Sequence, residues 1–259
     1  MWHDIQFNPK QVSDAIRYRC DWLVENMPAY DPAVFREMED ARHMFGSLRT
    51  EGSTLTFVEV SMVLRGELPR DAKNLDVREG ISLQAALHEM RELIGVLPFS
   101  EEIVKRVHKT CANGHLAAKN CGEYRTIQNY IGDGSFSTAV PNQIPKLMRR
   151  LFEAIKNEGN PIVKAAFFGF NYVAIHPFAD YNGRTSRLFE CYLLGEGGMP
   201  FISMREEDIR LYLDLMRDGC KNGKPYYEPY IEFVMNRVEE RFEELKRDFE
   251  INGGYSENS

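Results

Sequence analysis

Over most of the chain, apolar residues recur at intervals of three and four, the spacing of one face of an α-helix. Val12, Ile16, Trp22 and Leu23 mark a helix over about 10–25. Asp31-Pro32 supplies an N-cap and a proline at the first helical position. Val34, Phe35, Met38, Ala41, Phe45 and Leu48 follow on one face, and Gly52 sits where a left-handed C-terminal residue is expected. Ser82 opens a segment with Leu83, Ala86, Leu87, Met90, Leu93 and Ile94 on one face. Ser100 with two glutamates opens the next, which Gly114 closes. Ile144, Leu147, Met148, Leu151 and Ile155 mark a further helix, and Asn160-Pro161 restarts the pattern at once. Residues 161–175, PIVKAAFFGFNYVAI, are apolar nearly all round, as a helix buried at the centre of a bundle must be. Two more helices are predicted near 205–218 and 227–248.

Only TIQNYI and SFSTAV, on either side of Gly132-Asp133-Gly134, read as β, a short hairpin that must lean on the helices. The fold class is therefore all-α, a bundle around a central buried helix with one small β-hairpin. The polar, turn-rich stretch 65–80 divides an N-terminal helical region (1–81) from a core domain (82–248), and 249–259 read as a disordered tail.

Composition narrows the function classes. The 259 residues are 43% hydrophobic and 27% charged, ample for a packed core. A net charge of −7 and a pI near 5.5 argue against binding nucleic acid through general phosphate attraction, but leave room for a local basic pocket. Five scattered cysteines suit reduced thiols rather than a disulfide framework. Neither a signal-peptide pattern nor an uncharged span of membrane length is evident, so no membrane partner and a cytoplasmic location are expected. His108, Cys111, His115 and Cys121 have two, three and five residues between them, which matches no usual zinc spacing.

The densest chemistry lies in HPFADYNGRTSR, residues 176–187. His176 ends the apolar helix, and Pro177 disfavours its continuation. A histidine there has the intrinsic pKa of a general base. Asp180 offers an oxygen ligand for a hard cation such as magnesium. Asn182-Gly183 precede the next helix, where backbone N–H groups form an anion cradle. Arg184 and Arg187 stand on one face of its first turns, against the helix dipole unless an anion lies between them. On the residues alone two readings stand: a phosphate site, or a polar loop between two buried helices with Phe178 as a plug.

HPFADYNGRTSR closely resembles the signature of the Fic family. GEYRTIQNYIGDGSFSTAVP, from Gly122, resembles that family's Gly-x-Tyr-Arg segment and β-hairpin flap, and YLDLMRDGCKNGKPYYEPYIEFV its C-terminal helices. The resemblance covers about residues 82–245 and implies a Fic-type bundle and transfer of AMP from ATP to a hydroxyl of a target protein. It implies His176 as base and Asp180 as the residue holding Mg2+. Asn182, Gly183, Arg184 and Arg187 would contact the phosphates of ATP, and Pro177 and Phe178 would anchor the loop. A flap with Ile127, Tyr130, Ile131 and Phe136 would hold the target segment, and self-association is common in the family. Gly183 stands where a kinase-like branch carries lysine, which favours nucleotide over phosphate transfer. Tyr181 stands where the family has glycine; a positive φ there would strain a tyrosine.

Residues 47–52, SLRTEG, end the helix that starts near Asp31. By itself Glu51 is an exposed charge on a fraying turn. Ser47, Glu51 and Gly52 nevertheless match the family's inhibitory motif, in the branch whose inhibitory helix (about 31–51) precedes the core. There the glutamate pairs with the second signature arginine, here Arg187. The resemblance also allows the reverse reaction, removal of AMP from a modified target, or an inactive nucleotide-binding relic.

Overall fold

The computed structural model describes residues 7–28, 31–131, 136–219 and 226–251. The described helices are α1 (Asp14–Asn26), α2 (Pro32–Thr50), α3 (Phe57–Leu64), α4 (Asn74–Leu93), α5 (Glu101–Ala112), α6 (Ile144–Lys156), α7 (Pro161–Ile175), α8 (Asn182–Glu196), α9 (Ile209–Asp218) and α10 (Glu228–Ile251). α7 is the axis, with every residue except Lys164 buried. It packs on α8 most extensively, and on α10, α6, α1 and α9. Asn160 starts it by accepting hydrogen bonds from the amides of Ile162 and Val163, with proline at the first position. Beside it, Phe99 meets Phe168 edge-on at 4.8 Å and touches Phe152, Phe189 and Tyr192, so one ring joins three helices.

Three expectations are corrected. Position 82 is not a helix start: α4 begins eight residues earlier, at Asn74, and runs through Gly80 and Ser82. Burial explains this, since Asp76, Val77 and Gly80 face inward and the Asp76 carboxylate accepts from both the amide and hydroxyl of Thr54 at 2.7 Å. The stretch 65–80 is therefore only partly a connector. α3 was not expected at all, although Thr56 and Glu59 form a reciprocal capping box at its start. The β-strands are far shorter than TIQNYI and SFSTAV, being reduced to β1 (Tyr130–Ile131) and β2 (Phe136–Ser137). They pair antiparallel, Tyr130 opposite Ser137 and Ile131 opposite Phe136. A ladder of two residues is marginal by itself. The turn Gly132-Asp133-Gly134, the side chains of Ile131 and Phe136, Cys220 and most of the tail lie outside the described residues.

α2 is fastened so that its C-terminal end reaches α8. Arg91 of α4, its side chain 6% exposed, holds Asp40 at 2.6 Å and Glu39 at 3.3 Å, both on α2. Further along, Arg49 holds Glu206 at 2.6 Å. Gly52, with φ +87°, ends the helix as its position suggested. Among the described residues, no helix is long and apolar enough to cross a membrane.

Candidate active site

α7 stops at His176, which adopts a left-handed backbone (φ +55°) just before Pro177. Its Nδ1 lies 3.2 Å from the Val173 carbonyl, which places the ring proton on Nδ1 and leaves Nε2 as an acceptor. Burial lowers the imidazole pKa to about 4, helped by Arg125 and opposed by the Val173 carbonyl, so the ring is neutral near pH 7. A neutral imidazole with a fixed tautomer has the properties of a general base.

Arg125 holds this end of α7. Its guanidinium donates to the carbonyls of His176 (2.7 Å), Ile127 (3.0 Å), Ala139 (2.5 Å) and Ile175 (3.4 Å), and to the Thr138 hydroxyl (2.9 Å). Its own amide donates to the Pro177 carbonyl. One buried cation thus ties the strand pair's flanks to the last carbonyls of a helix, where positive charge is favoured. Burial without a carboxylate lowers its pKa to about 10, still protonated near neutrality.

The loop after His176 closes on itself. Phe178 is fully buried, its ring stacked 3.7 Å from the ring of His108 on α5. The Asn182 side chain accepts from the Phe178 amide and donates to the Phe178 carbonyl, both at 3.0 Å. Asn182 therefore serves as a loop staple; what it offers an anion is its backbone. His108 accepts from the Gly122 amide at Nδ1 and bonds the Asp180 carbonyl through Nε2, both at 3.0 Å. Gly122 could be no other residue without rearrangement: its φ is +76° and a Cβ would lie 2.6 Å from the Lys105 carbonyl oxygen. Asp180 points outward, its side chain 62% exposed.

Tyr181 precedes α8 in the left-handed region (φ +65°), as the family's glycine at this place foreshadowed, and is nonetheless 4% exposed. The Arg184 guanidinium stacks over its ring at 3.8 Å, and Nη1 lies 3.0 Å from Glu79 of α4. Arg187 is buried on the neighbouring turn. It donates from Nε to the Ser47 hydroxyl (3.0 Å), and from Nη2 to the Ser47 carbonyl (3.1 Å) and Glu51 Oε1 (2.7 Å). That carboxylate lies over the start of α8, where a Cβ on Gly183 would come within 2.6 Å of Oε1. Gly183 is thus the residue that lets an anion settle there. Ser47, Glu51, Gly183 and Arg187, read from two distant segments, meet in space. Tyr130, on β1, and Ile127, three residues before it, are 59% and 78% exposed.

Burial opposes ionisation of Glu51, but Arg187, then Arg184, outweigh it and hold its carboxyl below the usual carboxylate range. A lowered folded-state pKa contributes stability that is present above the unfolded value and lost as pH falls through the folded one. Glu51→Gln is accordingly expected to flatten the acid limb of a melting-temperature profile below about pH 5 and to leave its shape near neutrality unchanged. Thermal unfolding of both proteins between pH 3 and 8 checks this.

Residues 98–194 match the model of the Fic/DOC family. Over these residues the chain is similar to the Fic/DOC family. Among curated relatives, "Protein adenylyltransferase Fic" of Culex quinquefasciatus is 26% identical over 229 residues, 83% of this chain and 44% of that protein. Its Drosophila grimshawi counterpart is 26% identical over 76% of this chain and 41% of its own length. The chain thus spans less than half the length of these relatives. Solved structures share the fold. A Fic domain containing signaling protein from Bacteroides thetaiotaomicron superposes with a TM-score of 0.72 at 23% identity, over 88% of this chain and 94% of that one. Fic-1 from C. elegans superposes with 0.75 at 20%, over 92% and 72%. The Fic/DOC match contains His176, both arginines, Arg125 and His108. It leaves α2, with Ser47 and Glu51, outside.

Proposed function

We propose that the chain is a protein adenylyltransferase that moves AMP from ATP to a hydroxyl side chain of a target protein, restrained by its own Glu51. One observation carries this reading. A neutral histidine with a free Nε2 stands at the loop leading into a helix start whose two buried arginines are each held by a carboxylate of the chain itself. The names of the relatives support the reaction type.

In the forward reaction, Nε2 of His176 takes the proton of the target hydroxyl. The freed oxygen attacks the α-phosphorus of ATP, the bond from that phosphorus to the bridging oxygen breaks, and pyrophosphate leaves. Arg184, Arg187 and the first amides of α8 offset the developing charge. Asp180 fits a magnesium ion that arrives with the nucleotide, because such an ion needs only one or two protein carboxylates beside phosphate and water oxygens. Bound there, magnesium would neutralise phosphate charge. The strand pair, with exposed Tyr130 and Ile127 beside it, would hold the target segment by main-chain pairing. Glu51, seated over Gly183 and paired with Arg187, occupies the place a terminal phosphate would take, and α2 would be an inhibitory helix.

The test is to incubate the Glu51→Gly protein with magnesium and ATP and weigh it intact. A gain of one AMP, on itself or on an added protein, is expected, with far less on wild type. No gain on any acceptor would remove the transferase reading. A carboxylate beside the phosphate cradle also suits orienting water, which would make the same site remove AMP from a modified target. That alternative requires wild type, and not Glu51→Gly, to release AMP.

A further inference from the structure

Glu51 accounts for Arg187 but leaves Arg184 unexplained. Arg184 is 5% exposed, and its guanidinium face is covered by the Tyr181 ring. Among the described residues, its Nε and Nη1 have no hydrogen-bond partner of acceptable geometry. Glu79 Oε1 lies 3.0 Å from Nη1 without the alignment of a hydrogen bond, and Asp180 is farther off at 3.8 Å from Nη2. Glu79 therefore neutralises charge but does not satisfy the donors. A buried guanidinium with idle N–H groups is costly, and an anion with oxygens in the guanidinium plane would remove that cost. The contrast with Arg187 is direct, since that guanidinium has aligned acceptors in Ser47 and Glu51.

We propose that Glu79 is a second internal competitor at the phosphate site, holding Arg184 from α4 as Glu51 holds Arg187 from α2. This rests on the nucleotide reading above. The stacked Tyr181 ring confines Arg184 to its edge, and that edge faces Glu79, so an incoming polyphosphate must displace a carboxylate at each arginine. The poorly aligned pair is the weaker of the two and yields first. Glu79 is a competitor for the binding group and touches no reacting atom.

The experiment is calorimetric titration of the full chain with two probes, ATP with magnesium and inorganic tripolyphosphate. The proteins are wild type, Glu79→Gln, Glu51→Gly and the double variant. Glu79→Gln is isosteric and partly exposed, and Glu79→Ala serves if it folds poorly. Glu79→Gln is expected to tighten both probes by roughly three- to tenfold. Glu51→Gly should tighten them more, and the double variant most. Unchanged or weaker binding in Glu79→Gln, while Glu51→Gly binds tighter, overturns the proposal alone. If tripolyphosphate tightens in Glu79→Gln but no variant binds ATP, the nucleotide reading fails and Glu79 stands as an anion competitor. If no variant responds to either probe, both are overturned.

Discussion

Replacing His176 by alanine in a Glu51→Gly background is expected to slow AMP transfer by about 10²–10⁴-fold. ATP affinity should stay within about twofold of the background, because in the proposed reaction the imidazole acts on the acceptor and not on the phosphates. The structure gives the reason for both halves. Nδ1 is engaged by the Val173 carbonyl, so only Nε2 can take a proton, and burial keeps that nitrogen unprotonated at neutral pH. Alanine removes the acceptor without touching Arg184, Arg187 or the start of α8. Rates of labelling at saturating ATP, set beside calorimetric affinities, separate the two effects. A variant that still labels at more than a tenth of the background rate would take the base role away from His176.

Arg125→Ala should be the most destabilising single change around the site, by roughly 3 kcal/mol or more, because it orphans several buried carbonyls at once. For a chain of this size that corresponds to a melting temperature lower by roughly 6–12 °C. Below its melting point the variant should also transfer AMP more slowly. The bonds it loses run to the carbonyls of Ile175 and His176 and to both flanks of the strand pair. Arg125→Lys retains the charge at the helix end but only part of the fork, and should fall between. Circular dichroism melts and labelling at a temperature where all three proteins are folded check this. A melting point within 2 °C or so of wild type would show that water replaces the guanidinium at little cost.

How much of this was legible in the linear chain depended on whether the signal was local. The all-round apolar run of α7, its Asn-Pro start and its histidine-proline stop are local, and each lies where the pattern put it. The pairing of Glu51 with Arg187 could be read across 136 residues only because a family motif linked them. α4 starts earlier than its periodicity suggests because Asp76 and Gly80 look like connector residues until Thr54 and the packing of α3 are supplied. The capping box of α3, Thr56 and Glu59, is local, but an eight-residue helix offers few apolar repeats beside it. His108, Arg125 and Glu79 act through partners 72, 51 and 105 positions away. Nothing in their immediate neighbourhoods announces those partners. Asn182 shows the converse: its place in the signature gives no sign that its side chain closes the loop onto Phe178.

The fastening of α2 has a consequence for how such a site would respond to its surroundings. Arg91 and Arg49 hold the helix that carries Glu51, so its carboxylate is a ligand on a short tether. A tethered group competes at an effective concentration in the millimolar range or above, fixed by geometry and independent of how much protein is present. Under the proposed restraint, dilution would therefore bring no relief. Relief would come from a rise in free polyphosphate to a comparable chemical potential, or from a partner that loosens α2 and lowers the effective concentration itself. Loosening the Arg91 and Arg49 ion pairs, far from any reacting atom, would then tune the site as a rheostat.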